Sequence, residues 1–130
     1  MAIGLKVFPQ LAVSFLAAGS FALSFSAAAE NAPSGDKASP EIYKLLAENG
    51  QFRVILGTWQ PGQRDAQHSH STAVHYRLTD CKQRVFSPDD KLINESEVKA
   101  GSVLMGKPVS SHSLQNVGTT VCQALTVESK

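Results

Sequence analysis

Gly62-Gln63-Arg64-Asp65-Ala66-Gln67-His68-Ser69-His70-Ser71-Thr72-Ala73-Val74-His75 holds three of the four histidines of the chain. His68 and His70 are two residues apart, so extended backbone turns both imidazoles to one face. That is the simplest way for a strand to offer two nitrogens to one ion. Pro61-Gly62 ahead of the stretch reads as a turn. Behind it, Val74, Tyr76 and Leu78 alternate with Ala73, His75, Arg77 and Thr79, the period of a half-buried strand. His112, the fourth histidine, lies in residues 110–117, a second strand-like run that ends at Gly118. Imidazole suits Fe, Ni, Cu, Mn or Zn, and a nitrogen from a separate strand would complete a facial set.

The surrounding sequence is β throughout. Residues 52–59 are rich in β-branched and aromatic side chains. Residues 83–86 run into Ser87-Pro88-Asp89-Asp90, a strong turn. Strands are expected at 95–99, 102–105 and 121–127, with Ala100-Gly101 and Gly118 between them. Short strands with turn signals at this spacing imply an all-β sandwich or small barrel. One short helix is expected at 40–49: Ser39 as N-cap, Pro40 at the first position, Ile42, Leu45 and Leu46 on one face, and Asn49-Gly50 as the stop.

Residues 1–29 read as a signal peptide: Lys6, an apolar run over 7–25, then Ser26-Ala27-Ala28-Ala29. The competing reading is a retained membrane anchor, against which Pro9, Gly19 and the small-residue end argue. Residues 30–39 read as a flexible leader, and 40–130 as the domain. The expected location is periplasmic or secreted, with no membrane association after removal of the signal. The chain has 12 Lys+Arg and 11 Asp+Glu, and loss of Lys6 leaves the two signs equal. With no basic stripe, nucleic acid is not an expected partner. Cys81 and Cys122 are free to pair in an oxidising compartment, where closing the loop would stabilise by roughly 3–4 kcal/mol. The alternative is two separate buried thiols.

The histidine spacings resemble the cupin superfamily. Its first motif runs Gly, five residues, His-x-His, three or four residues, Glu, six residues, Gly. Here Gly62 precedes His68-Ser69-His70 at that distance, with His75 in the place of Glu and Lys82 in the place of the closing Gly. Its second motif is matched by Gly101, Pro108 and His112-Ser113-Leu114-Gln115-Asn116, although Pro108 is one place late and the following Gly is absent. The resemblance covers roughly residues 51–128 and implies a jelly-roll β-barrel. It implies His68, His70 and His112 as nitrogen ligands of a divalent transition metal. His75 would be a fourth ligand or stand behind the ligands.

Other residues admit two readings. Trp59, Tyr76, Phe52 and Met105 are expected in the core, with the barrel mouth as the alternative. Asp65 would orient His68, and Asn116 would shape a turn. Arg53, Arg64 and Arg77 are each able to hold an acidic ligand, and nothing in the sequence selects one. The resemblance implies a metal-dependent dioxygenase or related oxidoreductase acting on a small molecule. The alternatives are a noncatalytic metal- or ligand-binding module and an interaction domain, with a homodimer as the expected assembly.

Overall fold

The computed structural model describes residues 30–130, and the expected signal segment, 1–29, lies outside them. The elements are α1 (Gly35–Ala38), β1 (Tyr43–Glu48), β2 (Phe52–Trp59), β3 (His68–His70), β4 (Ala73–Arg77), β5 (Cys81–Phe86), β6 (Leu92–Val98), β7 (Val103–Gly106), β8 (Val109–Asn116) and β9 (Cys122–Ser129). They form a five-stranded sheet, β1-β2-β9-β4-β7, and a four-stranded sheet, β3-β8-β5-β6. Every strand pair is antiparallel. Ile55, Trp59, Cys122 and Ala124 from the first sheet meet Cys81 and Leu114 from the second in one apolar cluster. The turns fall where Gly and Asp permit them: Gly62, Gly101 and Asp90 have φ of 79°, 83° and 63°.

The expected helix at 40–49 is a strand. Ser39 does not cap it: the Oγ accepts the Ala66 N–H at 2.8 Å instead. Tyr43 pairs with Gly57 and Lys44 with Leu56, so β1 covers the edge of β2. Only Tyr43 of β1 is buried, while Leu45 and Leu46 stay exposed. Sheet pairing at long range therefore overrides a local helical pattern whose apolar face has nothing to pack against. The short helix of the domain lies upstream, at α1.

Residues 30–39, expected as a flexible leader, are fastened to the domain. Ser69 N–H donates to Pro33 O, Ser69 Oγ–H to Ala32 O, and Ala32 N–H to Ser110 O. Asp36 of α1 pairs with Arg53 of β2 at 2.6 Å. The leader thereby closes the open edge of β3.

Of the four aromatic and Met residues expected inside, only Trp59 is in the core. Phe52, Tyr76 and Met105 are exposed. Tyr76 and Met105 take the outward phase of the five-stranded sheet: Val74 is opposite Met105 and Tyr76 opposite Val103, while Ala73 and Arg77 point inward.

Cys81 on β5 and Cys122 on β9 are disulfide-bonded with Cα atoms 5.1 Å apart, so the bond ties one sheet to the other. The closed loop spans a separation of 41 residues. Reduction, or the Cys81→Ala/Cys122→Ala pair, is expected to lower unfolding free energy by about 2–4 kcal/mol. Urea unfolding with and without reductant checks this, and coincident midpoints would disprove it.

Candidate metal centre

β3 and β8 pair in register with His68 opposite His112, and His70 follows on β3. Their side chains turn into the space between the sheets. His68 Nε2 lies 3.0 Å from His70 Nε2 and 3.1 Å from His112 Nε2. One nitrogen from each of His68, His70 and His112 lies within 4.8 Å of the other two.

The outer nitrogens decide the protonation of the inner ones. His68 Nδ1 is 2.9 Å from Ala66 O, and a carbonyl only accepts, so Nδ1 carries the proton. His70 Nδ1 likewise donates to the Glu128 carboxylate. In neutral rings both Nε2 atoms are then bare lone pairs facing each other at 3.0 Å. Two lone pairs at that distance repel unless a cation lies between them. Nitrogens held ~2.1 Å from one ion at near right angles are themselves about 3.0 Å apart. The donor set and its spacing therefore fit a transition metal, and the backbone carbonyl and carboxylate behind the rings are the partners that metal-bound histidines have.

His75 is brought to the cavity but not into this group. Its Nδ1 is 2.9 Å from Thr126 Oγ1. Its Nε2 abuts Gly106, where any Cβ would stand 2.7 Å away. Its ring centre is 5.4 Å from that of His70.

Two residues at the site were not singled out from sequence. Glu128 is buried and stands behind His70. Its one sequence signal is an acid on the inward phase of β9, shared with Cys122, Ala124 and Thr126. Tyr43, hidden inside the expected helix, has its hydroxyl 3.1 Å from His68 Nε2 and donates to Asp65 Oδ2 at 2.6 Å. Asp65 does not bond His68 directly: its Oδ1 is 3.6 Å from Nδ1. It orients the site from behind, accepting from Tyr43 Oη, Trp59 Nε1 and Leu114 N. Asn116 shapes a turn, donating to Trp59 O and Thr120 O and accepting from Gly118 N.

The three arginines separate. Arg53 pairs with Asp36. Arg64 holds Asp90 and Ser113 and stacks over Phe86 at 3.7 Å. Arg77 points inward and lines the same cavity as the histidines, a space of about 100 Å³.

Burial favours the neutral form of His68, His75 and His112. His112 falls from the ordinary 6.5 to about 3, through burial first and then the neighbouring His68. His75 falls to about 4, through burial and then His70. His68 is lowered by burial against the pull of Asp65. Burial raises the Tyr43 hydroxyl, and the Asp65 charge adds to it.

No family model and no curated protein matches the sequence. Solved structures do. A cupin domain from Bordetella pertussis Tohama I is 19% identical, with TM-score 0.61 over 76% of this chain and 96% of that one. A conserved protein with a double-stranded β-helix domain from Klebsiella pneumoniae is 20% identical, with TM-score 0.54 over 68% and 75%. A cupin superfamily protein from Desulfitobacterium hafniense is 13% identical, with TM-score 0.50 over 68% and 75%. The chain has the cupin β-barrel fold.

The lowered histidines set a pH dependence for the metal-free protein. An unfolded chain takes up protons near 6.5, whereas folded His75 and His112 do so only near 4 and 3. The unfolded state binds more protons across that window, so stability present above pH 6.5 is lost as pH falls toward 4. The slope is ~1.4 kcal/mol per pH unit for each histidine held neutral. Thermal unfolding of chelator-treated protein between neutral and mildly acidic pH should show this decline; a flat profile would contradict it.

Proposed function

We propose that this protein holds a divalent transition metal, Fe, Ni, Cu, Mn or Zn, on His68, His70 and His112. We read it as acting on a small molecule in the adjoining cavity. The observation that carries this is the pair of bare Nε2 atoms of His68 and His70 at 3.0 Å, each fixed by a partner on its other ring nitrogen. Three protein nitrogens leave coordination positions for substrate. The finer reading is a dioxygenase or related oxidoreductase, for which a bound ion would supply redox and Lewis-acid chemistry. The chain contributes an uncharged ligand set, with Glu128 and the Ala66 carbonyl holding the rings. His75 forms a polar wall where related motifs carry a carboxylate, so that carboxylate is absent as a general base. The disulfide and the signal-like start together support an exported protein.

A noncatalytic binding module is the second reading, favoured by the small cavity of about 100 Å³. Oxygen uptake across a thiol, diketone and phenol panel separates the two: turnover supports the enzyme, and binding without uptake supports the module.

Metal analysis tests the shared premise. Purified protein is expected to carry about one ion per chain, lost in His68→Ala and His112→Ala. Glu128→Gln is expected to weaken binding roughly 10- to 100-fold, because it loosens the hold on His70. His75→Ala should keep its metal. Wild-type protein that takes up none of these ions would end the proposal.

A further inference from the structure

Two further polar side chains line the cavity. Arg77 on β4 is 6% exposed, and its Nε has no hydrogen-bond partner. Gln83 on β5 is 5% exposed, and its Oε1 has none either. Both line the space that the histidines line. They reach it from opposite walls, since β4 belongs to the five-stranded sheet and β5 to the four-stranded one. The buried acids nearby are committed: Glu128 to His70, and Asp65 to Tyr43, Trp59 and Leu114. A buried guanidinium without an acid is costly for a fold this small, and a protein keeps one where an anion is to be met.

We propose that Arg77 and Gln83 form the anion-binding end of the cavity, and that its ligand is a short carboxylic acid bearing a hydrogen-bond donor. Arg77 Nε–H donates to the carboxylate. Gln83 Oε1 accepts from a hydroxyl, thiol or amine on the ligand. The volume limits the acid. A cavity of about 150 Å³ takes benzene. One of about 100 Å³ has room for an acid of about two or three carbons. The walls around it are apolar: Trp59, Val85, Leu104 and Leu114. His75 and Arg77 occupy successive inward positions of β4, ~7 Å apart along the strand. An acid held at Arg77 therefore turns its other end toward the histidines. That orientation rests on the metal reading above; binding of the anion does not.

The test uses glycolate, acetate, acetamide and benzoate as probes, read by calorimetry and by the NMR signal of the Arg77 Nε–H. Chelated and metal-loaded wild-type protein are both examined. Glycolate is expected to bind best, acetate more weakly, and neutral acetamide and bulky benzoate not at all, with the Nε–H signal moving on binding. Arg77→Met should lose at least about thirtyfold in glycolate affinity. Its ligand-free melting temperature should stay level or rise, because the unpaired buried cation is gone. Gln83→Leu should erase the preference for glycolate over acetate.

Equal binding of acetamide and acetate, or an Arg77→Met protein that still takes glycolate, overturns the proposal. So does an Arg77→Met protein that no longer folds, since the guanidinium would then be holding the structure. Absent metal uptake with intact glycolate binding defeats the metal reading alone. Normal metal uptake with no glycolate response defeats this proposal alone.

Discussion

A buried carboxylate is tolerated only where donors surround it. Asp65 meets that condition by drawing three strands to one point. Tyr43 Oη–H comes from β1, Trp59 Nε1–H from β2 and the Leu114 N–H from β8. The packing repeats the same convergence, with the Tyr43 ring edge-on to Trp59 at 5.1 Å and tilted over His68 at 5.1 Å. Gly57 is part of this arrangement, since any Cβ there would lie 2.5 Å from the Trp59 ring. Losing the carboxylate would take the shared acceptor from a phenol, an indole and an amide together beside His68. The apolar core is small, so this polar junction and the disulfide carry much of what holds the two sheets in register.

Much of the fold was legible because strand periodicity and turn chemistry are local. Residues 52–59 read as a strand and are one; the Pro61-Gly62 and Ala100-Gly101 turns fall where they were expected. β1 was not legible, because its spacing of Ile42, Leu45 and Leu46 also suits a helix. The deciding fact, the open edge of β2, lies elsewhere in the chain. β3 was too short to announce itself except through its histidines. The convergence of His68, His70 and His112 was legible from spacing and resemblance together. Glu128 was not, since nothing short of the β9 register places it against a histidine 58 residues away.

The position of His75 shows how a site changes character without losing its outline. The spacing puts an imidazole where related motifs carry a carboxylate, and the barrel then turns that ring toward Thr126 and Gly106. A carboxylate still stands near the histidines, on Glu128, where it accepts from the outer nitrogen of His70.

The leader fixes more than an edge. Ser69, the residue between the two histidines of β3, is bonded through both its amide and its hydroxyl to residues 32 and 33. The strand that aims those imidazoles is thus gripped on one side by β8 and on the other by the first few described residues. The segment just ahead of the barrel therefore helps to set the direction in which His68 and His70 point.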